Sequence, residues 1–320
     1  MAKVKMKKKR LQLFGKNGFI SKNLSNYFNK KNQETLTLSS KEYNLTKRST
    51  IVKLKKIIKH TDILIFTPFI FENEIDNDFS YSKNILMLEI VLASIHKIKK
   101  FIYLSSDAVY DVDKMPLDED SVCNPIDSYG ALHLAREKIL RNFFKDEPKK
   151  LTILRLTSVY GFNYYRENYG PSLFIRRSYE KNKISLFGDG EEKRSHIYID
   201  DLMEIIFRII KSEAFGFINI ASTPVSFEKI ARVIKNNMEC KILIKKVKRI
   251  VPVVRNPYKW SQIFRYIYNF GVPINQIYHK SYKLDKLRKY TNNYVHTSIE
   301  NGIIKTINDY KKKYPNTCDK

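Results

Sequence analysis

The stretch RLQLFGKNGFISKNL, residues 10–24, starts with a short apolar run, continues through two closely spaced glycines and then takes a helical pattern. It predicts a strand at 10–14, a tight turn at Gly15 and Gly18, and a helix at 21–29. Glycines let the backbone approach a phosphate, and the amides at a helix N-terminus attract negative charge. The stretch therefore predicts a nucleotide site directly after the first strand of a parallel sheet.

Apolar runs and helical patterns alternate through the first half of the chain. Strands separated by helices build a parallel sheet with right-handed crossovers and helices on both faces. Continuous apolar strands, rather than alternating ones, suit burial on both faces. The predicted fold class is α/β, a doubly wound parallel sheet. The further strands are predicted at 34–38, 62–67, 101–105 and 151–156, and the helices at 49–59, 82–96 and 128–144.

The second half is patterned more loosely, with loops and one helix at 171–182 predicted between residues 161 and 195. Because the two kinds of region interleave, we predict a nucleotide-binding domain of residues 1–160 plus about 196–223. Residues of about 161–195 plus 224–320 would then form a substrate-binding domain, with its pocket drawn from loops at 161–195 and 250–275. The other predicted elements are strands at 196–199 and 217–220, helices at 202–210, 226–237 and 298–313, and an aromatic loop at 258–270.

Composition narrows the class of protein. The chain has 59 basic and 33 acidic residues, a net charge of +26, but its lysines are spread along the whole length. We therefore predict no nucleic-acid partner, although the positive field would favour an anionic small substrate. No apolar run reaches the roughly 20 residues of a membrane span. Three widely spaced cysteines predict neither a disulfide framework nor a metal site, which fits a cytoplasmic protein.

A serine and a tyrosine suggest the chemistry. Ser106 ends the fourth apolar run, where strand ends face the ligand crevice, and Tyr129 begins the helix predicted at 128–144. A phenol beside a hydroxyl and a nucleotide can move a proton while a cofactor moves a hydride. A phenol needs a nearby cation or helix terminus to act near neutral pH, and His133 lies one turn further on the same face. Taken singly, each residue is equally consistent with a structural role.

The end of the second strand bears on the choice of cofactor. Many dinucleotide sites place an acidic residue there to bind the ribose hydroxyls. This chain has Ser39, Ser40 and Lys41 instead. Lys41, and Lys16 within the glycine turn, could meet a 2′-phosphate, so NADP is considered beside NAD.

Several motifs in order resemble the extended short-chain dehydrogenase/reductases, specifically the nucleotide-sugar epimerase/dehydratase family. The resemblance implies a Rossmann domain followed by a smaller C-terminal substrate domain, NAD or NADP as cofactor and a nucleotide-sugar substrate. It also implies a homodimer paired through the helices at 82–96 and 128–144. The motifs are GKNGFIS, NILMLEIVLAS, YLSSDAVYD, SYGALHLAREKIL, LRLTSVYG, LFGDGEEKRSHIYIDD, NIASTPVSFEKIARVI and SYKLDKLRKY.

The resemblance also implies roles for individual residues, and no metal site. Ser106 would position the reacting oxygen, Tyr129 would be the acid/base, and His133 would position or tune it. The substrate contacts would be Asp107, Ser158 and Arg194. The cofactor contacts would be Gly15, Gly18, Phe19, Ile20, Ser21, Ser39 and Lys41.

The chain departs from the family pattern at four places. His133 stands where the pattern Tyr-x-x-x-Lys has lysine, and Ala108 stands where sugar dehydratases carry a glutamate. Ser158 replaces the asparagine of Arg-x-x-Asn, and the acid after the second strand is missing. We predict an NAD(P)-dependent epimerase that transiently oxidises a sugar hydroxyl, for polysaccharide or glycoconjugate synthesis. An NAD(P)H-dependent keto-sugar reductase, or a cofactor-binding protein with weak or no turnover, are the alternatives.

Overall fold

The computed structural model describes residues 10–71, 77–111, 115–165, 170–247 and 279–315. The predicted loops at 250–275 and 258–270 lie outside these ranges. The described strands are β1 (Leu11–Phe14), β2 (Thr35–Leu38), β3 (Ile63–Phe66), β4 (Lys100–Ser106), β5 (Leu151–Leu156), β6 (Ser158–Tyr160), β7 (Lys183–Phe187), β8 (Lys193–Arg194), β9 (His196–Tyr198), β10 (Gly216–Ile220), β11 (Val225–Ser226) and β12 (Leu243–Val247). The described α-helices are α1 (Phe19–Lys30), α2 (Thr50–Ile57), α3 (Asn77–Ser94), α4 (Ser128–Phe143), α5 (Pro171–Lys181), α6 (Ile199–Lys211), α7 (Phe227–Asn237), α8 (Asp285–Thr291) and α9 (Ile299–Lys313).

A six-stranded parallel sheet forms the centre of the fold, in the order β10-β5-β4-β3-β1-β2. β1 pairs with β2 on one side and with β3 on the other, so the chain reverses its direction of growth between β1 and β3. Such a reversal opens a crevice at the carboxyl ends of the strands, where ligands bind in open α/β sheets. The predicted α/β doubly wound sheet of Rossmann type is confirmed.

Burial on both faces explains the continuous apolar strands. Ile63 and Ile65 belong to one hydrophobic cluster, whereas Leu64 and Phe66 belong to the other. Successive side chains of a strand point to opposite faces, so β3 contributes to both clusters in turn. Helices α1 and α6 cover the first face, and α2, α3 and α4 cover the second.

The second half contains elements that the sequence pattern did not predict. Residues 161–195 contain strand β7, which pairs in parallel with β12, where only loops and a helix were predicted. Helix α8 was also missed. Of the cysteines among the described residues, Cys240 is disulfide-bonded and Cys123 is a free thiol. The division into two domains stays a prediction.

Candidate active site

The glycine turn follows β1 at the switch point of the sheet. Gly15 adopts φ +91°, a conformation that costs other residues energy, and its amide donates to the Leu38 carbonyl at 3.1 Å. A Cβ at Gly15 would lie 3.0 Å from the Thr67 hydroxyl. The backbone of the turn is therefore held by β2 from one side and approached closely by the residue after β3 from the other.

Ser21 links the turn to the sheet. Its Oγ lies 2.6 Å from Thr67 Oγ1, and the Thr67 hydroxyl donates to the Phe14 carbonyl at 2.7 Å. Ser21 is buried, so its hydroxyl ties the start of α1 to the ends of β1 and β3. Gly18 is the N-cap of α1, and the amides of the first turn have no partner within a helix. Those amides form a ready anion site.

A cavity of about 930 Å³ runs from this turn to the start of α4. Its volume suits a dinucleotide, since ligand pockets span roughly 300–1,000 Å³. The anion site at one end and the polar residues at the other also fit that group. Of the predicted cofactor contacts, Ser39 and Lys41 lie outside the lining, and Ser40 between them contributes instead. The predicted contacts that do line the cavity are Gly15, Gly18, Phe19, Ile20 and Ser21, and Lys16 lies beside them.

Ser106 and Tyr129 line the same cavity. Ser106 is buried, and its Oγ accepts a hydrogen bond from the Ala108 amide at 3.2 Å. The Asp127 side chain caps α4 by accepting from the Gly130 amide at 2.7 Å. The first turn of α4 therefore lies directly against the residues that follow β4, which brings the phenol and the serine to one crevice.

Gly130 permits this close approach. A Cβ at Gly130 would lie 2.2 Å from the Ala108 carbonyl oxygen and 2.8 Å from Pro125 Cβ. The obstacles are backbone and a rigid ring, so α4 would have to move. We expect Gly130→Ala to lower the free energy of unfolding by about 1–3 kcal/mol, as overpacking does. Urea unfolding measures this, with the exposed Lys138→Ala on the same helix as control; equal stability of the two variants would contradict the packing argument.

A buried ion pair holds the rest of α4 against the sheet. Glu137 lies 2.8 Å from Arg155 of β5, and both side chains are almost fully buried. Ser105 donates to the other Glu137 oxygen at 2.6 Å. This network joins α4 to β4 and β5 next to Ser106, so the positions of the helix and of the serine depend on each other.

His133 lies in an aromatic, water-poor environment. Its ring stacks on Phe69 with centroids 5.0 Å apart and meets Tyr129 edge-on at 4.6 Å. Burial, aided by the Arg136 charge, lowers the pKa of His133 to about 3. At neutral pH the imidazole is therefore uncharged and cannot replace the positive charge of the family lysine.

The neighbouring Tyr103 determines which ring nitrogen of His133 carries the proton. The Tyr103 hydroxyl lies 2.7 Å from Nδ1, and burial raises the pKa of Tyr103, so this phenol stays protonated. Arg136 opposes that rise, which places a cation beside the phenolic oxygen. We assign the Tyr103 hydroxyl as donor to Nδ1, which leaves the imidazole proton on Nε2. Nε2 is buried without a partner among the described residues.

The buried histidines predict a loss of stability in acid. His133 and His196 both have a pKa lowered to about 3, mainly by burial. In the unfolded chain these histidines bind a proton near pH 6.5. The contribution of each buried, neutral histidine to the free energy of unfolding is therefore complete above that pH and is lost as pH falls toward 3. Each histidine should add up to about 1.4 kcal/mol per pH unit to the slope of the free energy of unfolding against pH. The free energy of unfolding of His133→Asn, measured between pH 6.5 and 4, should depend on pH with a slope that corresponds to one fewer proton taken up on unfolding than in wild type. An unchanged slope would contradict the burial argument.

A second pocket, of about 330 Å³, adjoins the cavity and shares Asp107 and Ser158 with it. Arg194 lines this pocket and donates through Nε to Glu192 at 2.7 Å. Ser158 is exposed at the start of β6, beside the strand that carries His196. The three predicted substrate contacts are thus brought together around one pocket.

Asp107 is engaged by a distant segment of the chain. Its carboxylate accepts from Lys280 Nζ at 3.2 Å and from the Tyr282 hydroxyl at 2.5 Å. Burial raises the pKa of Tyr282 well above its ordinary value, so the hydroxyl remains the donor. Both residues line the second pocket. The sequence analysis missed Lys280 and Tyr282 because only the tertiary fold brings them to Asp107.

Phe69 was also missed, although it is central to the site. It follows β3, lines the cavity and contacts the rings of Tyr129 and His133 at 5.1 and 5.0 Å. The strand predicted there ends at residue 67, and the sequence pattern assigned no role to the aromatic residues after it. The position of Phe69 after a strand that flanks the switch point could have identified it.

The comparisons with known proteins agree with this geometry. A profile of the NAD dependent epimerase/dehydratase family matches residues 12–221. The chain belongs to this family. The match covers the central sheet from β1 to β10, including the glycine turn, Ser106 and Tyr129.

Two curated proteins are similar to the chain over part of their length. The chain is 26% identical over 258 residues to dTDP-D-glucose 4,6-dehydratase of Dictyostelium discoideum, covering 68% of this chain and 59% of that protein. It is 29% identical over 165 residues to GDP-mannose 3,5-epimerase of Arabidopsis thaliana, covering 48% and 44%. The matched part therefore spans about half the length of these relatives.

Solved structures share the epimerase/dehydratase fold. UDP-glucose 4-epimerase from Thermotoga maritima superposes with a TM-score of 0.74 at 18% identity, over 95% of this chain and 99% of that one. A dTDP-4-dehydrorhamnose reductase from Bacillus anthracis in complex with NADP gives 0.71 at 23%, over 95% and 100%. The family is described as NAD dependent, which confirms the predicted type of cofactor, and the Bacillus anthracis reductase was solved with NADP.

Two features are absent from the described residues. None of their helices is long and apolar enough to cross a membrane. The same part of the chain holds no group of three or more side chains suited to a metal ion.

Proposed function

We propose that the protein is an NAD(P)-dependent nucleotide-sugar epimerase that acts by transient oxidation of a sugar hydroxyl. One observation carries the proposal: a single cavity has the glycine turn at one end and both Ser106 and Tyr129 at the other. A dinucleotide anchored at Gly15 would extend toward the phenol. A sugar entering from the adjoining pocket would meet the same residues.

The side chains divide the work between them. Tyr129 removes the proton of the sugar hydroxyl and returns it, while Ser106 binds that oxygen and sets its orientation. His133 offers a neutral Nε2–H as a donor toward a ribose hydroxyl. When bound, the nicotinamide supplies reversible hydride transfer. With the cofactor bound, an oxidised sugar that turned over in the pocket would be reduced on its other face, which would give the epimer with no net consumption of cofactor.

The surroundings of Asp107 favour epimerisation over dehydration. Elimination of water needs an acid and a base, and the residue after Asp107 is Ala108 rather than glutamate. Asp107 itself accepts from Lys280 and Tyr282, which directs its carboxylate to that segment. Arg194 and Ser158 are placed to contact the substrate diphosphate, since arginine matches phosphate geometry.

A panel of UDP-, dTDP- and GDP-hexoses tests the function. We expect one substrate to equilibrate with an epimer by proton NMR, without net change in absorbance at the reduced-cofactor wavelength. Stoichiometric loss of that absorbance would instead show a keto-sugar reductase. Cofactor binding without conversion of any sugar would show a protein with weak or no turnover.

The preference between NAD and NADP rests on the adenosine end of the cavity. Ser40 and Lys16 line it there, and among the described residues its only carboxylate linings, Asp107 and Asp127, lie at the other end. This arrangement is compatible with a 2′-phosphate. Mass spectrometry of the cofactor that copurifies with the protein distinguishes the two.

The remaining expectations complete the proposal. We include the two-domain division, a cytoplasmic location and a role in polysaccharide or glycoconjugate sugar synthesis. We also include a homodimer, paired through α3 and α4. Light scattering of the purified protein tests the dimer, and a monomer would remove it.

A further inference from the structure

Arg136 is a buried cation within the aromatic cluster of the site. It is 1% exposed, and its guanidinium donates to the Pro68 carbonyl at 2.9 Å and to Asn84 Oδ1 at 3.0 Å. It also donates to the Asn84 carbonyl at 3.2 and 2.5 Å. Every one of these acceptors is neutral, and no carboxylate whose side chain the structure describes forms an ion pair with it. Since arginine does not lose its proton in proteins, the guanidinium is a buried charge without a counter-charge among those side chains.

Arg136 and the proposed acid/base Tyr129 belong to one aromatic cluster. Tyr129, His133 and Arg136 follow one face of α4, at positions i, i+4 and i+7. All three contact Phe69: the two ring centroids lie at 5.1 and 5.0 Å, and the guanidinium carbon at 5.3 Å. Buried charges are screened far less than exposed ones, so the field of the guanidinium reaches across this cluster.

The charge of Arg136 changes the pKa values of two neighbouring side chains. Its charge contributes to lowering the pKa of His133 and opposes the rise in the pKa of Tyr103. A cation near a phenol favours the phenolate. Because His133 is neutral, position 133 cannot have this effect on Tyr129.

We propose that Arg136 supplies Tyr129 with the positive field that the family pattern obtains from a lysine at position 133. Arg136 is thus a positioning residue that acts through Tyr129 and does not touch the substrate. The inference rests on the proposed role of Tyr129 as acid/base. It explains how a site built around an uncharged histidine can still lower the cost of forming a phenolate.

The titratable and charged groups around the cluster come from several elements. Arg136 and His133 come from α4 itself, Tyr103 from β4, and Asp127 from the turn before α4. Asp107, after β4, is paired with Lys280. In the described part of the segment after β3, Phe69 and Phe71 contact the Tyr129 ring and carry no charge. Arg136 is therefore the cation of this cluster that has no counter-charge among the described residues.

The test is an NMR titration of Tyr129 in protein labelled with ¹³C at tyrosine Cζ, with Tyr129→Phe identifying the resonance. We expect Arg136→Gln to raise the phenol pKa by about one unit or more, and Arg136→Lys to keep it near the wild-type value. The matched control is Arg141→Gln, which removes an exposed charge from the same helix and should leave the titration unchanged.

Moving the positive charge to another position distinguishes the electrostatic effect of Arg136 from a role in packing. In the double variant Arg136→Gln/His133→Lys the cation moves to the family position, and the Tyr129 titration should return to within about half a unit of wild type. An unchanged titration in Arg136→Gln, or no recovery in the double variant, would overturn the proposal. If Arg136→Gln does not fold, Arg136→Lys and the double variant still decide the question. The titration needs no substrate, so failure of the sugar panel would reject the proposed function without affecting this result.

Discussion

Tyr129→Phe is expected to lower kcat for the epimerised sugar by about 10²–10⁴-fold, the usual contribution of a positioned acid/base. The substitution removes only the phenolic oxygen, and the ring contacts with Phe69, Phe71 and His133 persist. Cofactor affinity should stay within about threefold of wild type, because the anchoring amides lie at the other end of the cavity.

Turnover assays and fluorescence titration with the reduced cofactor separate these two effects. Tyr81→Phe is a suitable control, since it makes the same change on an exposed tyrosine of α3. Full activity in Tyr129→Phe would remove the acid/base role. Loss of cofactor binding along with activity would instead indicate that the substitution disturbs the cavity as a whole.

His133→Lys is expected to destabilise the protein, although it restores the family pattern. The new ammonium would join Arg136 in the same buried cluster without a counter-charge among the described residues, and the bond from Tyr103 to Nδ1 would be lost. We expect the free energy of unfolding near pH 7 to fall by about 3–5 kcal/mol, as for other uncompensated buried charges.

The pH dependence identifies the cause of this loss. Burial and the Arg136 charge would depress the pKa of the new lysine below its unfolded value of about 10.4. The loss of unfolding free energy is therefore largest at pH values below the pKa of this lysine in the folded protein, and it becomes smaller as pH rises toward 10. Denaturant unfolding of His133→Lys and of the neutral His133→Gln at pH 7 and pH 9.5 measures it. A lysine variant as stable as wild type at pH 7 would show that position 133 accepts a cation.

Local signals predicted the nucleotide half of the site. The glycine turn places β1 and α1 within two residues of their observed ends, and helix 128–144 is observed as Ser128–Phe143. Both predictions depend on patterns within a few residues: an apolar run, a glycine pair and a helical repeat. Such patterns specify where helices and strands begin. Because the strands of this fold class are parallel, their carboxyl ends then lie at one edge of the sheet.

Contacts between distant segments could not be predicted in the same way. Strand β12 contains two lysines in LIKKV, so it shows no strand-like alternation, and its partner β7 lies more than fifty residues earlier. The neutrality of His133 depends on burial and on Arg136, and no sequence pattern states how deeply a histidine is covered. The pairing of Asp107 with Lys280 joins residues separated by 173 positions.

The link between Asp107 and the segment around Tyr282 has a consequence for protein engineering. The backbone of this segment also pairs with Leu117, through bonds of 2.9 Å from the Leu117 amide and 2.8 Å to its carbonyl. Two stretches far apart in the sequence therefore build one wall of the second pocket. A library that randomises only one of these stretches would mostly contain variants in which the two no longer pack against each other. Altered sugar selectivity should therefore be sought by randomising both stretches together.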